Sequence, residues 1–175
     1  SGGKRDILDV YVYTINAGGT TTTTTAPILA IQKWDEDTMK PMANVTFDIV
    51  ECKLTGESTI QHVVPESKYQ GVTDENGKLT IPATSYVMKF NTIYEVKEAI
   101  TPKGYVENDK AEYIMYVNKD QNYNEEYVNK CEQNQEIKMV YQSADFKVQV
   151  FNAQRGIIVQ KAFINDAAGN SRNPV

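Results

Sequence analysis

The chain has 175 residues with 18 basic and 23 acidic side chains, a formal net charge of −5, and 41% hydrophobic and 10% aromatic residues. This composition supports a buried core and argues against global disorder. The acidic balance without a basic run argues against nucleic-acid binding, and no stretch approaches the about 18 apolar residues of a membrane-spanning helix, so no membrane insertion is expected.

The N-terminal part of the chain divides into a short strand and a linker. Residues 1–17 alternate apolar and polar side chains around Leu8, Val10 and Val12, which predicts a single strand without a visible partner. Residues 18–27 contain six consecutive threonines and predict an extended, low-complexity linker. The main body is therefore expected to begin at residue 28.

The main body, residues 28–153, consists of short alternating segments separated by turn signals, with no sustained helical periodicity. The pair Asn76-Gly77 is typical of a tight turn between strands, and Pro102-Lys103-Gly104 predicts another turn. Short strands at this spacing predict an all-β, Ig-like antiparallel β-sandwich. The predicted strands are Ile28–Trp34, Val45–Lys53, Lys78–Ile81, Ile93–Ala99, Glu112–Val117, Ile137–Tyr141 and Asp145–Asn152.

Both ends of the chain repeat parts of this body. Val12-Tyr13-Thr14-Ile15-Asn16-Ala17 resembles Val148-Gln149-Val150-Phe151-Asn152-Ala153, and Gly156-Ile157-Ile158-Val159-Gln160-Lys161 resembles the segment that ends at Lys33. Tandem modules explain both similarities. Residues 1–17 would then be the last strand of a preceding module, and residues 154–175 the start of a following one.

Three polar residues, Lys33, Glu98 and Asn152, each follow an inward-facing apolar stripe of a predicted strand. Each alone has an ordinary explanation, because long side chains at strand ends reach solvent. Together they supply one reaction: burial lowers the pKa of a lysine, making it a neutral nucleophile, and raises the pKa of a carboxyl group, keeping it protonated. The lysine amine could then attack the asparagine amide and release ammonia.

The sequence also resembles the collagen-adhesin B-type (Cna-B) domains of Gram-positive surface proteins and pilins. The most specific signal is Tyr94-Glu95-Val96-Lys97-Glu98 followed by Thr101-Pro102-Lys103-Gly104-Tyr105. The segments around Lys33, Thr73–Lys78 and Val148–Asn152 are similar to the family's first strand, hairpin and last strand. The resemblance covers residues 28–153 and implies an isopeptide bond between Lys33 and Asn152, with Glu98 as the catalytic residue.

The same resemblance implies a stalk module of an adhesin or pilin, extracellular, at the cell surface or cell wall of a Gram-positive bacterium. Its partners would be neighbouring repeats or pilin subunits, it would need no cofactor, and it would not be a turnover enzyme, since the crosslink forms once. Asn16 and Lys161 match the contexts of Asn152 and Lys33. Each would be half of a crosslink in a neighbouring module.

Cys52 and Cys131 are far apart in sequence and form either one disulfide or two free thiols. A disulfide would require an oxidising, extracytoplasmic setting. A single histidine and two distant cysteines exclude the common zinc sites. We therefore expect no metal.

Two segments, residues 55–69 and 118–135, are longer than in a minimal module of that family. Either they simply decorate the stalk, or they carry a binding surface. The second case gives the alternative function, a ligand-binding adhesin module whose second insertion contacts a host protein or glycan. A weaker alternative is an accessory module of a secreted carbohydrate-active enzyme. A contact patch could be built from the tyrosines, although tyrosines in β-sandwiches more often pack with the hydroxyl at the rim; they are Tyr113, Tyr116, Tyr123, Tyr127 and Tyr141.

Overall fold

The computed structural model describes residues 7–16, 23–82, 84–141 and 149–152, and the side chains of residues 26–82 and 84–141. This part of the chain forms ten strands and one helix. In chain order they are β1 (Ile7–Asn16), β2 (Thr23–Asp35), β3 (Thr46–Thr55), β4 (Thr59–His62), β5 (Lys68–Val72), β6 (Lys78–Thr80), β7 (Ile93–Glu98), β8 (Glu112–Val117), α1 (Glu125–Gln133), β9 (Ile137–Tyr141) and β10 (Gln149–Asn152). No helix in this part is long and apolar enough to cross a membrane.

The strands form two sheets, which confirms the predicted β-sandwich. In the first sheet, β2 pairs with β1 and β6 antiparallel and with β10 in parallel. The second sheet has the order β4-β3-β7-β8-β9, with β5 also pairing with β3. All its pairs are antiparallel except β8 with β9.

The main core lies between the sheets and follows the two-residue period of the strands. In β3 and β7, the side chains that enter this core stand two positions apart: Phe47 and Ile49 on β3, and Tyr94 and Val96 on β7. Burying these apolar side chains is the main stabilising contribution, at about 25 cal/mol per Å² of apolar surface. The core members are Leu29, Ile31, Val45, Phe47, Ile49, Leu79, Ile81, Met88, Phe90, Tyr94, Val96, Ile114, Tyr116 and Val140.

Helix α1 corrects the prediction of a chain without helices. It begins after Asn124, whose side chain accepts a hydrogen bond from the N–H of Tyr127 over 3.0 Å, and it buries Val128 and Cys131. These two side chains belong to a second apolar cluster, which lies on the outer face of the larger sheet. Leu54 is another member of this cluster. Because β8 and β9 are parallel neighbours, the chain must cross over between them, and α1 lies on that crossover.

Strand β1 also differs from the prediction. It pairs with β2 over ten positions, from Ile7 opposite Gln32 to Asn16 opposite Thr23. The N-terminal strand therefore has a partner, and residues 23–27 of the predicted linker belong to β2. Threonine favours strands, so the low-complexity run does not prevent pairing. Residues 17–22 and the predicted following module, residues 154–175, lie outside the described residues.

The remaining strand predictions agree closely with the structure. β8 and β9 have the predicted bounds, β2, β3, β6 and β7 contain most of theirs, and residues 145–148 of the last prediction lie outside the described residues. The turn at Asn76-Gly77 is confirmed: the Gly77 N–H donates to the Asp74 carbonyl oxygen over 2.9 Å, and Gly77 has φ 73. Strands β4 and β5 were not predicted, because their outward side chains are mostly exposed.

Candidate functional site

Lys33 continues the inward stripe of Leu29 and Ile31 on β2, and its side chain is 0% exposed. Its Nζ lies 3.7 Å from Oε1 of Glu98 and donates to the Trp34 carbonyl oxygen over 3.5 Å. The Lys33 main chain is held as well, since its N–H donates to the carbonyl oxygen of Gly77 over 2.7 Å. The amine is thus fixed inside the sandwich.

Glu98 reaches Lys33 from the opposite sheet. It is the last residue of β7, opposite Phe47 of β3, and its side chain is 2% exposed. It faces inward because it continues the buried stripe of Tyr94 and Val96. The structure therefore brings two of the residues predicted from sequence together across the sandwich.

Asn152 lies on the strand next to Lys33. In the parallel pairing of β10 with β2, Val150 is opposite Lys33 and Asn152 is opposite Asp35. Asn152 therefore occupies a register position one diagonal step from Lys33 on the neighbouring strand. Diagonal neighbours lie about 7–8 Å apart, within the reach of long side chains. The Asn152 side chain lies outside the described residues.

The Lys33–Glu98 pair is chemically suited to a reaction because both groups are buried. Isolated charges are expensive in such a setting. Transfer of one proton from Nζ to the carboxylate replaces the two charges by a neutral amine and a neutral carboxylic acid. These are the protonation states that a nucleophile and a hydrogen-bond donor to a carbonyl need.

Asp35 and Tyr105 form a neighbouring contact that sequence reasoning missed. Asp35 Oδ1 accepts from the N–H groups of Asp37 and Thr38 over 2.8 and 3.0 Å, and Oδ2 accepts from the Tyr105 hydroxyl over 2.5 Å. The Asp35 carboxylate therefore fixes the turn after β2 and ties it to the segment that follows β7. The sequence feature that could have indicated this contact is Tyr105, which directly follows the Pro102–Gly104 turn. Among residues 26–82 and 84–141, no acidic, histidine and cysteine side chains group into a metal site.

The other predicted residues lie away from this pair. Cys52 and Cys131 are free thiols, both buried in the outer-face cluster under α1. Burial raises the pKa of Cys52 to about 12 and also raises the pKa of Cys131. Asn16 pairs with Thr23 at the end of β2 remote from Lys33, and Lys161 lies outside the described residues.

The two insertions are folded against the larger sheet. Residues 118–135 include α1, and Tyr113, Tyr123 and Tyr127 pack against the apolar cluster beneath it. Tyr116 belongs to the main core, and Tyr141 is 39% exposed. The predicted tyrosine group is thus divided between two cores and does not form one exposed patch.

The insertion at residues 55–69 supplies β4 and the start of β5, both paired with β3. His62 lies on β4, with Nε2 3.0 Å from Oε1 of Glu95. The Tyr113 hydroxyl donates to the other oxygen of Glu95 over 3.0 Å. This insertion therefore also widens the sheet.

Comparison with known proteins agrees with this architecture. The family model of the SpaA prealbumin-like fold domain matches residues 27–131, more than half of the chain. The chain belongs to this family. The matched range of this SpaA-family chain includes Lys33 and Glu98 and ends before Asn152.

Among solved structures, the chain is similar to one described as the crystal structure of group B streptococcus pilus 2b backbone protein. The TM-score is 0.41 and the identity 12%, over 86% of this chain and 51% of that chain. The SpaA-family chain thus spans about half the length of that protein. No curated protein sequence matches it.

Proposed function

We propose that this chain is a structural module of a Gram-positive surface protein, an adhesin or a pilin, in which an isopeptide bond joins Lys33 to Asn152. The observation that carries the proposal is the buried contact of 3.7 Å between Lys33 Nζ and Glu98 Oε1. The parallel pairing of β10 with β2 supports the choice of Asn152 as the partner, because Val150 lies opposite Lys33 and Asn152 lies two positions further along.

The proposed cellular setting is supported by the Cna-B resemblance around Glu98 and Tyr105 and by membership in the SpaA family. Both favour a module exposed at the cell surface or cell wall, with neighbouring modules or pilin subunits as partners. The alternative function, ligand binding through residues 118–135, loses its main argument, because those residues build a helix that covers an apolar cluster.

The reaction uses only groups of the chain. Proton transfer to Glu98 leaves the Lys33 amine neutral, and its lone pair attacks Cγ of Asn152. Protonated Glu98 donates to the amide oxygen and stabilises the negative charge that develops there. The bond from Cγ to Nδ2 breaks, a proton passes to the leaving nitrogen, and ammonia departs. A new bond from Nζ to Cγ remains, with no oxidant or cofactor consumed.

Folding supplies the proximity of the amine and the amide that the reaction needs. Holding the amine and the amide in one core replaces an encounter between two molecules by a reaction within one, which is worth effective concentrations on the order of 10⁵ M or more. The product joins β2 to β10, so two neighbouring parallel strands of the first sheet become covalently linked. The reaction happens once per chain and ends in the protein itself.

The test is the intact mass of the folded chain, followed by fragmentation of its peptides. We expect a mass about 17 Da below the sequence value, since one ammonia is lost, and a branched peptide that contains both Lys33 and Asn152. Glu98→Gln and Asn152→Ala should both restore the full mass while the chain stays folded by circular dichroism.

Glu112→Gln is the matched control. Glu112 is also buried, and its two oxygens lie 3.0 and 2.7 Å from the Nζ atoms of Lys110 and Lys138. Its variant should keep the loss of ammonia, because Glu112 pairs with other lysines. A wild-type chain of full mass would refute the crosslink. A mass loss that persists in Glu98→Gln would refute the role of Glu98.

A further inference from the structure

A cavity of about 270 Å³ lies at the end of the sandwich that is remote from Lys33. Its walls come from three segments: the start of β2 at Ala26, residues 87–92 before β7, and the loop before α1 at Gln121 and Asn122. Both Ala26 and Lys33 belong to β2, and they lie about 23 Å apart along an extended strand. The cavity is therefore separate from the proposed crosslink.

The polar wall of the cavity is held by the buried side chain of Asn91. Its Nδ2 donates to the carbonyl oxygens of Asn118 and Gln121 over 2.9 and 2.6 Å, and its Oδ1 accepts from the Asn118 N–H over 3.0 Å. One amide thus ties the turn before β7 to the loop before α1. Because these bonds lie within the protein, a ligand need not order the two segments, and that lowers the cost of binding.

Two residues of this wall have main-chain conformations that residues with side chains rarely adopt. Asn91 has φ 58 and Asn122 has φ 46. Asparagine tolerates this left-handed region better than most residues, and such conformations cluster at ligand-binding and active sites. Here they occur on two different segments of the chain that line the same cavity.

The groups that the wall offers to a ligand are polar and uncharged. In residues 26–82 and 84–141, the side-chain amides of Gln121 and Asn122 have no hydrogen-bond partner. The Thr92 hydroxyl donates to a main-chain carbonyl oxygen over 2.9 Å, and its lone pairs can still accept. The charge of Lys89 is already balanced, because its Nζ lies 2.9 Å from Oε2 of Glu51. A neutral, hydrogen-bonding ligand fits these groups better than an ion.

The rest of the lining is apolar and consists of Ala26, Val87, Met88 and Phe90. Val87 is 48% exposed, so apolar surface is accessible from solvent. A sugar ring matches this combination, because its hydroxyl groups bond to amides while its C–H groups pack on apolar side chains. The cavity volume is slightly below the about 300 Å³ of the smallest pockets for drug-sized ligands, so it suits a single ring.

We propose that this cavity binds one ring of a neutral carbohydrate. The side-chain amides of Gln121 and Asn122 and the hydroxyl of Thr92 form hydrogen bonds with the hydroxyl groups of the sugar. The insertion at residues 118–135 contributes through the loop before α1 and not through the helix. This binding site goes beyond the structural function and does not depend on the crosslink.

Titration of the full, isotope-labelled chain with simple sugars tests the proposal by NMR. The probes are the methyl glycosides of glucose, galactose, mannose and N-acetylglucosamine, each up to about 50 mM, which detects millimolar affinities. We expect at least one of them to cause saturable shifts at the amides of Asn91, Thr92, Gln121 and Asn122. Absence of shifts with all of these glycosides, or shifts only elsewhere in the chain, would overturn the proposal.

The double variant with Gln121→Ala and Asn122→Gly removes both amides, and glycine preserves the left-handed conformation at residue 122. Its affinity for the sugar should fall at least about tenfold, since two hydrogen bonds are lost. Gln70→Ala is the matched control and should bind as the wild type does. Gln70 is exposed on β5, where its Nε2 donates to Asp48 over 2.7 Å.

Two further outcomes would contradict the proposal. An unchanged affinity in the double variant would show that these amides do not hold the sugar. Saturable shifts with glucuronate, but with none of the neutral glycosides, would show that the cavity selects an anion.

Discussion

Lys33 and Gly77 are joined by a main-chain hydrogen bond of 2.7 Å, and a Cβ atom on Gly77 would lie only 2.6 Å from the Lys33 carbonyl oxygen. The glycine also has φ 73, a conformation that other residues rarely adopt. The tight turn after Asp74 therefore approaches the lysine strand as closely as it does because residue 77 has no side chain.

Gly77→Ala should consequently destabilise the fold by about 2–4 kcal/mol, through left-handed backbone strain and a clash with main-chain atoms. Gly104→Ala is the control, since Gly104 has φ 87 but nothing within 4 Å of its added Cβ. It should lose only the strain, about 1 kcal/mol. Denaturant unfolding of both variants measures the difference. Equal losses would contradict the close approach.

The two cysteines should be unreactive in the folded protein. Burial raises the pKa of Cys52 to about 12, and the thiolate is the species that alkylating reagents attack. We expect iodoacetamide near neutral pH to modify neither thiol in buffer and both in denaturant, read by mass spectrometry. Lys53→Cys, at the exposed neighbouring position, provides a reactive control. A denatured chain with no reactive thiol would instead indicate a disulfide.

Stability should fall at alkaline pH. Burial raises the pKa of the Cys52 thiol from 9.0 to about 12 and those of the Tyr113 and Tyr127 hydroxyls from 10.0 to about 12. The unfolded chain therefore loses these protons at lower pH than the folded one. The contribution is fully present below about pH 9 and is lost progressively as the pH rises towards about 12.

Thermal unfolding at a series of pH values should show this decline. Cys52→Ala should reduce the number of protons released on unfolding by up to one per molecule, which makes the decline shallower. A melting temperature that stays constant from about pH 9 to pH 11 would contradict burial of these groups.

The cap of helix α1 offers a separate test of the outer-face cluster. Asn124→Ala removes the side-chain acceptor of the Tyr127 N–H and should cost about 0.5–2 kcal/mol. Asn124→Asp keeps the acceptor at a helix N-terminus and should retain the stability. If the two variants unfold alike, the cap does not hold the helix.

The central strands and the Lys33–Glu98 pair were accessible from sequence because the two-residue period assigns each side chain to a face. If β2 forms, Lys33 must face inward together with Leu29 and Ile31. If β7 forms, Glu98 must face inward together with Tyr94 and Val96. Lys33 and Glu98 meet because β2 and β7 belong to two sheets that pack face to face.

The helix was not predicted because Glu125–Gln133 buries only two residues, so its apolar periodicity is weak. The available signals were local: a capping Asn124, two glutamates in the first turn and Lys130 in the last. The pairing of β1 with β2 could not be predicted from the sequence. A strand's pattern gives its faces, but which edge is open to it depends on the rest of the sheet.

The pairing of β1 with β2 determines where the N-terminal end of the described fold lies on the sandwich. Ile7 lies beside Gln32 and Asn152 beside Asp35, so the two ends of the described fold are only about 10 Å apart along the strand axis. Release of β1 would move the point of attachment to Thr23, about 30 Å further along β2. A chain under tension that lost the pairing of β1 would gain this length together with that of β1 itself.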